Sequence, residues 1–535
     1  MSHRGTRTAR GFSLIASAAT AVAIGCAGPW NRPLPDGANI RRPIATEAIP
    51  AAPLPTTLPE APAVPAPKVD AGGILELPAV LDSVRDSFPL LYAAELERPI
   101  AAGQRIAAEG QFDTVVRSRF VNQNGSFDSR VFDVGIEQPT PYSGATFTAG
   151  YRTGFDQFPV YSGDRLTGDG GEFRLGATVP LLRGSAIDPR RARVRAAQIT
   201  QQLADPIIRR ARLDFDLLAA RAYWTWAQTG ARYEIAADVL KLAEDRQESL
   251  ERRKGEVDRG DVAVDNLRLV NLRKSDLVRA RRNVEQASFI LSLYFRDAAG
   301  NPIVPKADRL PRRLIDAVVP KPEPTALPGD ATAALQQRPE LVRFQLLRQG
   351  LGIDLKLALN DFYPTLNAES GVAQDVGATK KDLDRTNYRA GIVFEMPLAR
   401  RDALGRTGAA QARIVQTLLN ERDARDRINA ELLDAVSELV RTYERIELNR
   451  IALEKALEVR DFEERRFKRD LADIVTLNIR EVVAVEAENA VVDAVADYFR
   501  AVAVYRAVLG GDAPGLVLPE TQPQGYLPEV NRDPK

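Results

Sequence analysis

Thiol and imidazole chemistry is confined to the first 26 residues of this 535-residue chain, where Cys26 is the only cysteine and His3 the only histidine. The remainder therefore lacks the ligands of a zinc site and the base of a histidine triad. Carboxylate, Lys, Tyr or Ser chemistry stays open, but no Gly-rich phosphate loop occurs. No enzyme activity and no cofactor are expected. Cys26 follows Arg4, Arg7, Arg10 and an apolar stretch, Phe12 to Ile24, too short to span a bilayer. Two readings stand: an ordinary export signal that happens to hold a cysteine, or a lipobox, Ala23-Ile24-Gly25-Cys26, cut before Cys26 so that its thiol and new amino group are acylated. A lone cysteine has no disulfide partner, which favours lipidation of Cys26. Residues 1–26 are then a lipoprotein signal, and the mature protein is exported and held by lipid.

Acidic residues at two turns form the second set with chemical potential. Gly255-Glu-Val-Asp-Arg-Gly260-Asp-Val-Ala-Val-Asp265-Asn-Leu267 is the first, and Gly260 can supply a left-handed helix cap there. Phe467-Lys-Arg-Asp470-Leu-Ala-Asp473-Ile-Val-Thr-Leu477 is the second, with Asp470 where a glycine would be expected. Both connect long helices. Ile428, Leu432, Ala435, Leu439, Thr442, Ile446, Asn449 and Leu453 step by four and three in turn, a 3.5-residue period. The period returns at Val482, Val485, Asn489, Val492, Ala496, Phe499 and Ala503, and in an earlier segment at Leu277, Ala280, Val284, Ala287, Leu291 and Tyr294. These seams are rich in Ala and polar residues, so they predict a wall of helices with contacts on two sides. Residues 189–257 predict about 100 Å of helix at 1.5 Å per residue. Pro206 should kink that helix or mark its start.

The layout occurs twice. A helical lead-in, a β-rich stretch and two long helices fill residues 74–310 and again 311–511. Asp86-Ser-Phe-Pro-Leu-Leu91 matches Gln337-Arg-Pro-Glu-Leu341, and Gly176-Ala-Thr-Val-Pro-Leu181 matches Gly391-Ile-Val-Phe-Glu-Met-Pro-Leu398. A unit of this length reads as a duplicated half-protein. Before it, residues 27–73 form a Pro-rich tether that cannot bury a core. After it, residues 512–535 form an irregular tail. Lys and Arg number 73 against 72 Asp and Glu, which gives no footprint for nucleic acid.

Strands are expected at Phe112 to Val121, Arg130 to Gln138, Ala145 to Phe155 and Glu172 to Leu182, and in the second copy at Thr365 to Gln374 and Tyr388 to Pro397. Residues 112–182 hold 11 of the 35 aromatic residues, an enrichment that suits strands with interfacial girdles. A small soluble sheet would also fit the pattern alone. No apolar run of 18 residues follows the signal, so any bilayer-spanning part must be a closed barrel. About two principal strands per copy cannot close alone, so several chains must contribute. Two, three or four chains would all close something. The extra strands around Phe132 to Phe158 have no counterpart in the second copy, and are either a longer loop hairpin or a sheet outside the bilayer.

Ser87-Phe-Pro-Leu90, Arg338-Pro-Glu-Leu341, Leu359-Asn-Asp-Phe-Tyr-Pro-Thr-Leu366, Val179-Pro-Leu-Leu-Arg-Gly184 and Gly260-Asp-Val-Ala-Val-Asp265 occur in the order and spacing of the TolC-like outer-membrane efflux proteins. The chain resembles that family over residues 74–511. The resemblance implies a mainly α protein with membrane β-structure: a homotrimer with a 12-stranded β-barrel in the outer membrane and a long α-helical barrel crossing the periplasm. It implies a passive exit duct whose tips meet a periplasmic adaptor (membrane fusion) protein, which links it to an inner-membrane transporter of the resistance-nodulation-division or ABC type. Family members carry an acidic residue about six positions past each turn glycine, lining a periplasmic constriction. Those positions here hold Asn266 and Thr476, with Asp265 beside the first, so the charge would fall to Asp470 and Asp473. As solvated turn residues these two would do nothing of the kind. Arg259 and Arg469 are candidate links between neighbouring tips. The rival readings are a periplasmic coiled-coil adaptor or scaffold lipoprotein, and a lipoprotein enzyme using carboxylates.

Overall fold

Two prolines set the phase of the two repeats. Phe88 (φ −76°, ψ 118°) and Arg338 (φ −62°, ψ 122°) each precede a proline and are held extended. The following Pro89 and Pro339 then occupy a first helical turn, where a missing N–H costs nothing. Helix α1 (Leu77–Ser87) thus breaks before α2 (Pro89–Glu95), and α3 (Glu97–Glu109) continues toward the sheet. In the second repeat, α6 (Leu327–Gln337) breaks before α7 (Pro339–Asn360) in the same way. The computed structural model describes residues 73–125, 128–156, 167–252, 260–297, 300–311, 313–322, 327–377, 385–469 and 471–511. They all belong to one of the two compact units of the chain, Ala63–Lys535. Cys26, Arg259, Asp470, the signal, nearly all of the tether and the tail lie outside the described residues.

Six strands follow: β1 (Val115–Gln123), β2 (Ser129–Pro139), β3 (Thr146–Asp156), β4 (Glu172–Pro180), β5 (Thr365–Asp375) and β6 (Asn387–Glu395). They form one antiparallel sheet in sequence order. The expected strands are all present within three residues at each end. Their grouping differs from the expectation: the hairpin β2–β3 lies inside the same sheet, hydrogen-bonded to β1 on one side and β4 on the other. Each chain therefore has six contiguous strands, where the twelve-stranded trimer expectation takes four. The β4–β5 pairing joins the repeats across a separation that no local pattern could specify, with Pro180 opposite Asn367.

The long helices are α4 (Pro189–Arg252, 64 residues) with α5 (Gly260–Ser292), and α8 (Arg401–Lys468, 68 residues) with α9 (Ile474–Leu509). At 1.5 Å per residue α4 and α8 extend about 96 and 102 Å. Pro206 neither ends nor starts α4, which runs through it. Proline there removes one hydrogen bond to the preceding turn, but Ala204 and Ile208 on either side pack on Ala101 of α3. Tertiary packing of that face outweighs the local cost. Gly260 is the first residue of α5, eight positions past the end of α4, and so opens the return helix where a cap on the outgoing helix was expected.

The α8 seam is buried as its period requires: Ile428, Leu432, Ala435, Leu439, Thr442 and Ile446. On α9, Val492, Ala496 and Phe499 are buried, but so are Val491, Ala494, Val495, Tyr498, Ala501 and Tyr505, while Val482 is exposed. This helix has a broader buried face than one heptad seam because α4 and the short turn Leu314–Asp316 also pack on it. Trp224 of α4 stacks on Phe499 at 4.2 Å between ring centroids.

Candidate functional site

Strand pairing decides which side chains share a face, because residues directly opposite one another point the same way. One face carries Val116 and Phe120 (β1), Phe132, Val134 and Ile136 (β2), Phe147, Ala149 and Tyr151 (β3), Phe173 and Leu175 (β4), Val372 (β5), and Tyr388, Ile392 and Phe394 (β6). Its only charged residue is Arg130, near one end of β2. Many of these apolar groups stand open, Val116 at 69% and Ile392 at 72%. A surface of that kind across six strands is unusual for a protein surrounded by water. The opposite face carries Arg117, Arg119, Asp133, Glu137, Arg152, Glu172, Arg174, Glu369, Arg389 and Glu395.

The charged face is cross-linked. Asp133 on β2 accepts from Arg152 on β3 at 2.7 and 3.1 Å, from Arg174 on β4, and lies 3.6 Å from Arg119 on β1. One carboxylate thus ties four strands. Every glycine of the six strands also falls on this face: Gly135, Gly150, Gly154, Gly176, Gly371 and Gly391. Gly135 and Gly150 are direct partners, and a Cβ on Gly135 would come within 2.8 Å of the Ala149 carbonyl oxygen. Glycine in a strand permits close backbone approach and bending, so the sheet can curl with its charged face inside.

Where the strands meet the helices, Asp361 joins the repeats. Its carboxylate lies 2.8 Å from Arg183, just past β4, and 3.3 Å from Arg406 of α8. Arg338 has a similar function nearer the middle: its guanidinium meets Glu431 of α8, reaches the Ala507 carbonyl of α9 at 3.4 Å, and lies 3.4 Å from Glu340. Glu340 in turn pairs with Arg210 of α4. The motifs Arg338-Pro-Glu and Leu359-Asn-Asp therefore join helices and strands from both halves.

The two hairpin tips also meet. Leu250, Ala263 and Ile474 form one apolar cluster against Val262 and Phe467. Above it, the buried pair Arg246–Glu481 links α4 to α9, with Arg246 also donating to Asn478 at 3.2 Å. Asp473 accepts from the Thr476 backbone N–H at 2.6 Å and from its hydroxyl at 3.1 Å. These bonds cap α9 and hold the Asp473 carboxyl below its ordinary range, the Thr476 N–H being the largest cause. Asp265 sits 3.0 Å from Arg268. Asn266 is completely buried, donating to the Ala243 carbonyl at 3.1 Å and to Gln247 at 2.8 Å. Such burial between the arms presents no group to a lumen within the chain. Arg469 is exposed and closes the last turn of α8 through its backbone N–H, 3.0 Å from the Arg466 carbonyl. Asp473 and Thr476 are thus brought together and partner each other, whereas Asp265 and Asn266 point to different surroundings.

Val475, Ile479, Val482 and Val483 form a row of exposed apolar residues on α9, a surface that the 3.5-residue seam does not predict. Val482 even belonged to the expected seam. The signal available is the i, i+4, i+7 and i+8 spacing of these residues beside the tip turn, which puts them on one helix face.

Long paired helices below a meandering sheet have close counterparts among solved structures. The MtrE outer membrane channel of Neisseria gonorrhoeae superposes with a TM-score of 0.60 at 16% identity, covering 81% of this chain and 89% of its own. The fold is that of the TolC-like outer-membrane channels. The outer membrane protein VceC of Vibrio cholerae (TM-score 0.57, 15% identity, 81% and 96% covered) and the CmeC outer membrane channel of Campylobacter jejuni (0.57, 11%, 85% and 93%) share it. No protein-family model and no curated relative matches the sequence. The TolC-like channel fold is thus shared with these structures at 11–16% identity.

Proposed function

We propose that this protein is the outer-membrane exit duct of a tripartite export system, passively conducting substrates across the periplasm and the outer membrane. The observation that carries the reading is the two-faced sheet: apolar on one side, charged on the other, with two open edges, mounted on helices of about 100 Å. An apolar face of this extent needs lipid to cover it, and open edges in lipid need partners. Copies of the same chain supply those partners, arranged as a homotrimer around one axis with the charged faces lining the pore. The channel fold supports the reading.

Acylated Cys26 anchors the assembly in outer-membrane lipid. The hairpin tips, with Gly260, Asp265 and Asp473 at or near their turns, meet a periplasmic adaptor protein that is engaged by an inner-membrane transporter. Val475, Ile479 and Val483 give that adaptor, or the neighbouring copy, an apolar surface. A ring of Asp473 and Asp470 carboxylates at the narrow end would favour cations. Arg259 and Arg469 would link neighbouring tips.

Purified, lipid-modified protein in a planar bilayer tests the reading. Discrete single-channel steps from an oligomer that resists SDS are expected. A stable monomer that never conducts would overturn it.

A further inference from the structure

We infer that all six strands of each chain stand in the membrane wall, so that three copies close an eighteen-stranded barrel, each β6 edge docking on the neighbouring copy's β1 edge. The inference rests on the channel reading above and deepens it by naming the surface that joins the copies and the width of the pore. Four observations carry it.

The hairpin β2–β3 is the segment without a counterpart in the second repeat, yet its strands keep the two-faced pattern of the other four. Phe132, Val134 and Ile136 on β2, with Phe147, Ala149 and Tyr151 on β3, continue the apolar face without a step. A hairpin projecting into water would gain nothing from that alternation. Second, its strands are 11 residues each, and the other four are 9 or 11. A strand needs about 9–11 residues to cross a bilayer. Third, Asp133 on β2 holds Arg119 of β1, Arg152 of β3 and Arg174 of β4. Moving the hairpin out of the wall would break this cross-strand link and leave Arg119 and Arg174 without that carboxylate. Fourth, the edges match. β1 and β6 are both nine residues long and are exposed along almost their whole length. Because the sheet holds an even number of antiparallel strands, β6 of one copy meets β1 of the next antiparallel, and the meander continues unbroken.

Barrel diameter grows roughly linearly with strand number, and barrels of about 16–18 strands enclose an open aqueous channel. The added hairpin therefore widens the outer-membrane section by about half relative to a wall of four strands per chain.

Nitroxide accessibility in lipid bilayers tests this on the full chain, with the unsubstituted protein, whose only cysteine is Cys26, as background. F147C and T148C report on opposite faces of the added hairpin, and I392C and R389C on opposite faces of β6. The expected result is that F147C matches I392C, each with an oxygen-to-nickel-chelate accessibility ratio several-fold above T148C and R389C. If I392C and R389C differ in this way while F147C and T148C are both water-like, the hairpin lies outside the bilayer and the eighteen-stranded wall is overturned, with the channel reading intact. If I392C is water-like as well, both fall.

Discussion

Asp361 lies in a motif, Leu359-Asn-Asp-Phe-Tyr-Pro-Thr-Leu366, that the family resemblance picks out but does not interpret. It is 8% exposed, whereas its partners Arg183 and Arg406 are 36% and 59% exposed. Removing the carboxylate leaves two cations that water can still reach, so Asp361→Ala should cost about 1–3 kcal/mol, less than a fully buried pair. The check is the midpoint of chemical unfolding in detergent, with Arg406→Ala giving the smaller shift. Tyr498 offers a pH handle. Burial, with a smaller contribution from Tyr443, pushes its hydroxyl up to about 12 from an ordinary value of 10. A raised value means stability that is complete below pH 10 and is lost as pH rises through the folded value. The hydroxyl donates to the Pro320 carbonyl at 2.7 Å. Tyr498→Phe should therefore cost about 1 kcal/mol at neutral pH and flatten the loss of stability between pH 10 and 12, read by thermal unfolding across that range.

At the scale of elements, Gly135 marks where two strands approach most closely. A side chain there meets backbone atoms, the Ala149 carbonyl oxygen at 2.8 Å and the Gly150 Cα at 3.1 Å, neither of which can swing away. Gly135→Val should cost about 1–3 kcal/mol and lower the yield of assembled protein, measured by the fraction migrating as oligomer in unheated SDS gels. Asp473 caps α9, and its carboxyl is held low by the Thr476 N–H. A depressed value contributes protection above the ordinary aspartate range and loses it as pH falls through the folded value. Hydrogen-exchange protection at Ile474 to Leu477, taken relative to the intrinsic rate at each pH, should fall on acidification in the native chain and already be low in Asp473→Ala. Strands and helices were legible because their periods are local: alternation is visible in places, as at Phe147 to Tyr151 and Phe173 to Val179, and the 3.5-residue step marks the α8 seam. What stayed hidden was long-range. Nothing near Pro180 announces that it pairs with Asn367, and nothing near Val492 announces that α4 covers a second side of α9.

The candidate site divides along the same line. The motif at Arg338 is visible because it repeats Asp86 to Leu91, and the one at Asp361 only through the family resemblance; their roles emerge when α8, α9 and the end of β4 converge on them. The acidic tips were read from their resemblance to a constriction. The structure gives Asp473 and Thr476 a capping partnership, which needs only three residues of spacing and is compatible with Asp473 also facing a pore. The sheet is where whole-molecule logic decides. Six strands cannot close alone, since single-chain membrane barrels start at about eight, and their apolar face and bare edges both require company.

The measurement that bears most directly on this is an end-on view, by electron cryomicroscopy, of the purified protein in lipid discs. The account predicts several copies around one axis, joined edge to edge into a continuous β-wall with the charged faces inward. A particle containing one chain, its β1 and β6 edges unpaired, would contradict it.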